Sequence, residues 1–276
     1  MSDMVWDVHV IEFARSKDQL VAGLIHGAHD GGTVDLPFSF ILARRDDKVV
    51  LIDTGFIREG SGAAFAEKFG IPFWISPVRM LEELGVAAGD VTDIILSHAH
   101  FDHMGGVSAF PEATIHLQKR EYLSWMEMLA MPPQFRLLTE IINPDDLRAA
   151  YDASLEHRLN LVVGDVDDHF PGLHLRLGQG HTMGQQFVAL DTARGRVVVA
   201  GDCIYGKANI CGHNNNGAYV PLANAVGSTY DQLVTIDRIN QAIDGDLSRL
   251  IILHDSDRWS HLTPVAEVDG FGIFQV

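Results

Sequence analysis

Three histidines and an aspartate fall within six residues, His98 to His103, directly after the apolar run Val91 to Leu96. Imidazole nitrogens and carboxylate oxygens are the usual ligands of borderline metals such as zinc. A strand that ends in such a loop gives these ligands a rigid base. A polar loop that is rich in histidine by chance explains this density much less well. The cluster therefore predicts a metal site at the end of a strand.

Three further candidate ligands each follow a short apolar segment in the second half of the chain. His181 lies in a turn whose glycines let the backbone bend sharply, Asp202 follows the run 197–201, and His254 follows the run 250–253. Taken singly, each is more typical of a cap or a hydrogen-bonded loop residue. Their recurrence at strand ends predicts that they converge on the loop 98–103.

The periodicity of apolar residues indicates a β-rich chain with interspersed helices. Helices are predicted over 76–84 and 228–243, and the helical pattern of 119–157 is interpreted as a cap beside the active site. Strands are predicted over 5–11, 37–42, 48–52, 93–96, 114–117, 159–163, 173–177, 186–190, 197–200 and 250–253. Two β-rich halves that each carry helices favour an α/β (α+β) class fold, a four-layer αββα sandwich. We expect a single domain over 1–276, because no segment has the composition of a linker.

Composition limits the partners of the protein. The formal charge of −17, without a basic stripe, argues against nucleic acid and leaves a small-molecule substrate as the expectation. The sequence contains no apolar run of roughly 18 residues and no signal-peptide pattern, so we expect no membrane segment. The two cysteines, Cys203 and Cys211, are expected to be unpaired, with Cys203 packed away from the metals, and a cytoplasmic location is the default.

These motifs resemble those of the metallo-β-lactamase superfamily. The shared features, in the family's order, are the turn Asp53-Thr54-Gly55, the His-x-His-x-Asp-His cluster, a Gly-His-Thr turn, a strand-end aspartate and a late histidine. The resemblance implies a dinuclear zinc site. One zinc ion would be held by His98, His100 and His181, the other by Asp102, His103 and His254, and Asp202 would bridge them. The same ligands could take manganese, cobalt or iron, although His100 stands where diiron relatives usually carry glutamate.

The role of Asp53 stays open at this point. It either orients a ligand imidazole through the second ring nitrogen or only stabilises the turn before Thr54 and Gly55.

Within the superfamily, two local motifs are similar to those of N-acyl homoserine lactonases, which quench quorum sensing. These are Asp202-x-x-Tyr205 and the pair His254-Asp255. The resemblance implies that a metal-bridging hydroxide opens a lactone, either an N-acyl homoserine lactone or a related catabolic ring lactone. Tyr205 would contact the substrate carbonyl, unless it is a tyrosine at the edge of the core, and Asp102 is a candidate proton donor.

Two other functions remain open for the same ligands. One is hydrolysis of an amide, a β-lactam or a thioester, and the other is a non-catalytic or redox metal protein. Two segments are also left with alternatives. The loop 206–219 contacts substrate or is merely solvated, and the apolar ending 268–276 folds over the pocket or forms a homodimer contact.

Overall fold

Two β-sheets form the centre of the computed structural model, which describes residues 5–276. The strands are β1 (Asp7–Leu20), β2 (Thr33–Arg45), β3 (Lys48–Ile52), β4 (Phe73–Trp74), β5 (Asp93–Ile95), β6 (Thr114–Gln118), β7 (Leu159–Val162), β8 (Val166–Phe170), β9 (Leu173–Leu177), β10 (Gln186–Thr192), β11 (Gly195–Val199), β12 (Leu250–Ile251), β13 (Thr263–Val268) and β14 (Phe271–Gln275). The larger sheet has the order β13-β14-β1-β2-β3-β5-β6-β7, with β4 paired to β1. The smaller sheet has the order β12-β11-β10-β9-β8.

The helices lie on the outer faces of the two sheets or in the loops that connect the strands. They are α1 (Val21–Leu24), α2 (Gly60–Lys68), α3 (Pro77–Glu82), α4 (Phe101–Met104), α5 (Lys119–Leu129), α6 (Pro144–Leu155), α7 (Lys207–Cys211) and α8 (Thr229–Ala242). The predicted helix 228–243 corresponds to α8, where the Ser228 side chain accepts a hydrogen bond from the amide of Asp231 as the N-cap. Leu81 on α3 and Ile236 on α8 are both fully buried, so these helices are held by packing against the sheets.

Three separate apolar clusters define the layers. Ile94 of the larger sheet packs with the outer helices, whereas its neighbour Ile95 packs between the two sheets with Val199 of the smaller sheet. On the far face of the smaller sheet, Val198 packs against Ile236 of α8. Alternate residues of one strand therefore serve different clusters, as the pleat requires. Three interfaces make four layers, and the predicted αββα sandwich is confirmed.

The helices of the predicted cap, 119–157, contribute to the outer helical layer. Trp125 of α5 and Leu147 of α6 are buried in the same cluster as the larger sheet. Between the two helices, a 3-10 segment covers Pro133–Thr139. The two helices of the predicted cap therefore cover the larger sheet, and the 3-10 segment that connects them lies towards the candidate site described below.

The C-terminal segment is a strand rather than a lid. Strand β14 lies between β1 and β13 in the larger sheet, with Val10 opposite Phe274, and Ile273 is fully buried. The turn Asp269-Gly270 joins β13 to β14 with positive φ at both residues, which is the geometry of a tight hairpin turn. The prediction that 268–276 folds over the pocket is wrong, because β14 is paired on both edges within the larger sheet, whereas a homodimer contact of this segment stays a prediction.

Among the helices of residues 5–276, none combines the length and apolar character needed to cross a membrane.

The first turn of α6 contains a buried carboxyl group. Asn143 caps the helix by accepting a hydrogen bond from the amide of Asp145, and its Nδ2 donates to Asp146 Oδ1 at 2.8 Å. Asp146 is only 9% exposed, and its Oδ2 has no hydrogen-bond partner among the described residues. Burial, assisted by the nearby charge of Asp145, raises the pKa of Asp146 from 3.8 to about 7.

Stability is expected to depend on the protonation of Asp146. Between its unfolded and folded pKa values the folded state keeps a proton that the unfolded state has released, so the free energy of unfolding falls as pH rises through this window. Between pH 5 and pH 8 the free energy of unfolding should fall by less in Asp146→Asn than in the parent, and the difference should be at most about 3 kcal/mol. Urea unfolding of both proteins at the two pH values measures the difference, and parallel changes would contradict it.

Candidate metal centre

The seven predicted ligands come together in one buried cluster. Each follows a strand: the loop 98–103 follows β5 of the larger sheet, whereas His181, Asp202 and His254 follow β9, β11 and β12 of the smaller sheet. All seven residues are less than 9% exposed. Their ligand atoms fall into two groups: His98, His100, His181 and Asp202 form one, and Asp102, His103 and His254 form the other. We call these the first group and the second group.

The first group presents three imidazole nitrogens to one point. His98 Nε2 lies 2.9 Å from His100 Nδ1, which lies 3.1 Å from His181 Nε2. Two nitrogens that bind one tetrahedral zinc ion at ordinary bond lengths lie about 3.3 Å apart. The spacing of the three nitrogens is therefore close to the spacing that a shared metal requires.

The second group joins two imidazoles and a carboxylate. His103 Nε2 and His254 Nε2 lie 3.4 Å apart, and Asp102 Oδ2 lies 3.4 Å from the first and 3.5 Å from the second. These three atoms could bind a second cation from three directions.

Asp202 lies between the two groups. Its Oδ1 is 3.1 Å from His103 Nε2 and 3.2 Å from His254 Nε2. Its Oδ2 faces the first group, 3.4 Å from His181 Nε2 and 3.8 Å from His98 Nε2. Each carboxylate oxygen thus faces a different group, which is the arrangement that a bridging ligand needs. The adjacent Cys203 is a buried free thiol packed in the cluster beneath α8, as predicted.

Electrostatics differ between the groups. Burial lowers the pKa of His98, of His181 and of His100, the last to about 3, so these imidazoles are neutral and present lone pairs. Burial acts in the same direction on His103 and His254, but the carboxylates of Asp202 and Asp102 raise the pKa of both. The carboxylates therefore stabilise a positive charge placed within the second group. The donor set of five imidazoles and two carboxylates fits two divalent cations.

Hydrogen bonds on the outer ring nitrogens fix the ligand orientations. Asp53 Oδ2 lies 2.7 Å from His103 Nδ1, and Asp53 also accepts hydrogen bonds from the Ser97 amide and hydroxyl, both at 2.7 Å. His254 Nδ1 donates to the carbonyl oxygen of Pro37 at 2.8 Å. Of the two interpretations of Asp53, the contact with a ligand imidazole is thus the one that the geometry supports.

Tyr205 reaches the cluster from the smaller sheet. Its hydroxyl donates to Asp202 Oδ2 at 2.6 Å, and its ring centroid lies 5.3 Å from that of His254. Asn209 Oδ1 accepts hydrogen bonds from the amides of Tyr205 and Gly206 at 3.0 and 3.1 Å. Part of the loop 206–219 therefore holds the backbone of Tyr205 in place. Burial and the Asp202 carboxylate raise the pKa of Tyr205 well above its ordinary value, so the hydroxyl stays protonated.

A small cavity of about 120 Å³ opens onto the ligands. Its wall includes Asp102, Asp202 and Tyr205, together with apolar residues such as Phe38. A neighbouring cavity of about 380 Å³ shares several wall residues with it and is bordered by the connecting part of the predicted cap. The shared residues are Phe69, His100, Ile141 and Asn224. The cluster is thus accessible to a small molecule from one side.

Two supporting residues, Asn209 and Glu121, are missing from the sequence-based predictions. Asn209 gives no pattern, because its role depends on where the backbone of Tyr205 lies. Glu121 does leave a signal, since it shares a buried helical stripe with Trp125 and Met128 and is the acidic member of that stripe. An acidic side chain at an otherwise apolar helical position indicates a buried polar role.

Comparisons with known proteins agree with this geometry. The metallo-beta-lactamase superfamily model matches residues 32–254. A probable metallo-hydrolase of Mycobacterium tuberculosis is 28% identical over 223 residues, which are 78% of this chain and 69% of that protein. An N-acyl homoserine lactonase of Bacillus cereus is 29% identical over 194 residues, 65% of this chain and 68% of that enzyme.

Solved structures show the same fold. A quorum-quenching N-acyl homoserine lactone lactonase matches with a TM-score of 0.72 at 22% identity, over 94% of this chain and 96% of that one. AidC, a dizinc quorum-quenching lactonase, matches with a TM-score of 0.69 at 18% identity, over 100% and 95% of the two chains. The family match spans most of the sequence and includes the whole loop 98–103. The chain therefore belongs to the metallo-beta-lactamase superfamily and is a metallo-hydrolase of that fold.

Proposed function

We propose that the protein is a dinuclear zinc hydrolase that opens a lactone, either an N-acyl homoserine lactone or a related ring lactone. The observation that carries this proposal is the Tyr205 hydroxyl, which lies 2.6 Å from Asp202 Oδ2 and in the wall of the cavity over the ligands. The similarity to N-acyl homoserine lactonases at 27–29% identity supports the same class of substrate.

The cavities suit a ring that carries an apolar substituent. The ring would occupy the cavity beside Asp102 and Tyr205, and the substituent would extend into the neighbouring cavity, where Leu138, Ile141 and Val226 contribute apolar surface. Burial of such a substituent would provide binding free energy remote from the reacting bond.

The chain supplies distinct groups for ring opening. Two divalent cations held by the two groups would lower the pKa of a water molecule and polarise the ester carbonyl. The protonated Tyr205 hydroxyl can turn from Asp202 to donate a hydrogen bond to the carbonyl oxygen as negative charge develops there. Although burial opposes ionisation, the imidazoles of His103 and His254 keep the pKa of Asp102 below its ordinary value. Asp102 can therefore accept the proton of the attacking water molecule and pass it to the leaving alkoxide.

Tyr205→Phe tests the proposed contact with the carbonyl. We expect kcat for lactone opening to fall by about 100-fold, because one donor to the developing oxyanion is lost while the metals remain. Steady-state kinetics on metal-analysed protein measure this effect. Tyr219→Phe is the matched control, since the Tyr219 hydroxyl donates to Asp237 at 2.9 Å on the outer side of the smaller sheet. Equal lactone hydrolysis by Tyr205→Phe and the parent would contradict the role given to Tyr205.

A substrate panel tests the reaction class. The zinc-loaded protein is assayed against acyl homoserine lactones, other ring lactones, a chromogenic β-lactam, an amide and a thioester. We expect the highest kcat/KM on a lactone. Turnover of the β-lactam, the amide or the thioester without turnover of any lactone would replace this proposal with the other hydrolytic function.

A further inference from the structure

Glu121 of α5 is a fully buried carboxylate beside the first group. Within the described chain it forms no ion pair with a lysine or arginine, and four donors satisfy it instead. The donors are the Ala99 amide at 3.0 Å and Trp125 Nε1 at 2.7 Å to Oε1, and the Thr182 hydroxyl at 2.7 Å and the Gly184 amide at 2.9 Å to Oε2. Four donors match the acceptor capacity of an ionised carboxylate.

Three of the four donors, Ala99, Thr182 and Gly184, belong to the two loops that carry the histidines of the first group, whereas Trp125 lies on α5. Ala99 lies between the ligands His98 and His100, and Thr182 follows the ligand His181. One carboxylate therefore connects the loop after β5 in the larger sheet to the loop after β9 in the smaller sheet. Trp125, held by the same carboxylate, places its ring centroid 5.6 Å from that of His100.

The close approach of the backbone at Gly184 shows how tightly this connection is built. A Cβ atom at Gly184 would lie 2.1 Å from the Glu121 amide nitrogen, so only glycine lets the loop come this near to α5. The second group has different supports, namely Asp53 behind His103 and the Pro37 carbonyl behind His254.

We propose that Glu121 is a positioning residue for the first group, which sets the spacing between the His100 and His181 nitrogens and thereby the metal affinity of that group alone. The inference rests on the assignment of two metals in the proposed function. It goes beyond that assignment because it predicts that one residue outside the ligand set controls one of the two metals selectively.

Zinc titration of Glu121→Gln tests the proposal. In this variant an NH2 group replaces one carboxylate oxygen. It would face either the donors of Ala99 and Trp125 or those of Thr182 and Gly184 and could not accept hydrogen bonds from them, so one of the two loops loses its attachment. Competition with a chromogenic chelator should show that one equivalent of zinc binds about 10- to 100-fold more weakly, while the other changes by less than about threefold. Glu12→Gln is the matched control, because Glu12 is 3% exposed on β1 and bonds to Arg15.

A milder pair of variants keeps the test independent of folding. Thr182→Val removes one of the four donors and leaves Glu121 in place, whereas Thr182→Ser keeps the hydroxyl. We expect the valine variant to weaken the same single equivalent of zinc and the serine variant to bind like the parent.

Two results would overturn the role of Glu121. One is equal weakening of both zinc equivalents together with a lower melting temperature, which indicates general destabilisation. The other is unchanged binding of both equivalents in Glu121→Gln. The titration needs no substrate, so a parent protein that binds two zinc ions but opens no lactone would contradict the proposed function alone.

Discussion

Asp202→Asn is expected to lose at least one bound metal per chain and to reduce hydrolysis by at least about 100-fold. Replacing a residue that only supports a metal ligand typically lowers metal affinity or activity by about 10- to 100-fold. Loss of a ligand shared by both groups should therefore lower them by at least the upper end of that range. An amide nitrogen cannot replace a carboxylate oxygen as a ligand, and it would face the nitrogens 3.1 to 3.4 Å away. Elemental analysis and kinetics on the same sample measure both effects.

Asp93→Asn provides the matched control for this prediction. Asp93 is also buried and lies 2.9 Å from a histidine nitrogen, His116 Nε2, but it stands at the opposite end of β5 and pairs with Lys48. We expect this variant to lose stability while it keeps its full metal content. Normal metal content and activity in Asp202→Asn would refute the bridging role of Asp202.

Removal of the metals is expected to lower the melting temperature by at least about 10 °C. A metal that binds the native state at about 1,000 times its Kd stabilises it by about 4 kcal/mol. For a chain of this size, each kcal/mol changes the melting temperature by about 2–4 °C, and two groups are available. Differential scanning calorimetry with and without a chelator measures the shift.

Readdition of zinc should restore the original melting temperature. The Asp202→Asn variant is the control, because a protein that has already lost metal should respond less to the chelator than the parent does. An identical melting temperature for the metal-free and zinc-loaded parent would contradict this prediction.

The architecture is largely predictable because apolar periodicity reports burial. The hairpin of β2 and β3 is predictable because two apolar runs flank the polar turn at Asp46 and Asp47, and the parallel strand β5 appears as a continuous apolar run because both of its faces are buried. Strand β8 escapes prediction, since Asp167 and Asp168 face solvent at a sheet edge and leave no alternation. The hairpin of β13 and β14 is predictable in principle, because Asp269-Gly270 is a typical sequence of a tight hairpin turn. This signal indicates a strand better than the apolar character of the last residues indicates a lid.

The ligands are predictable for a different reason. Their residue types suit metal binding, and their positions after apolar runs place them at strand ends, so the convergence of His181, Asp202 and His254 on the loop 98–103 is predictable from the residues, whereas their division between two metals comes from the resemblance to the family. Glu121 and Asn209 act through backbone amides that are distant in sequence. Such partners exist only once the two sheets have packed, and therefore no local pattern specifies them.

Each group combines side chains from both sheets. His98 and His100 meet His181 in the first, and His103 meets His254 in the second. Every bound cation would thus act as a noncovalent cross-link across the sandwich. Metal occupancy would then depend on how the two sheets pack together, and even a slight sliding of one sheet over the other would alter both coordination spheres at once.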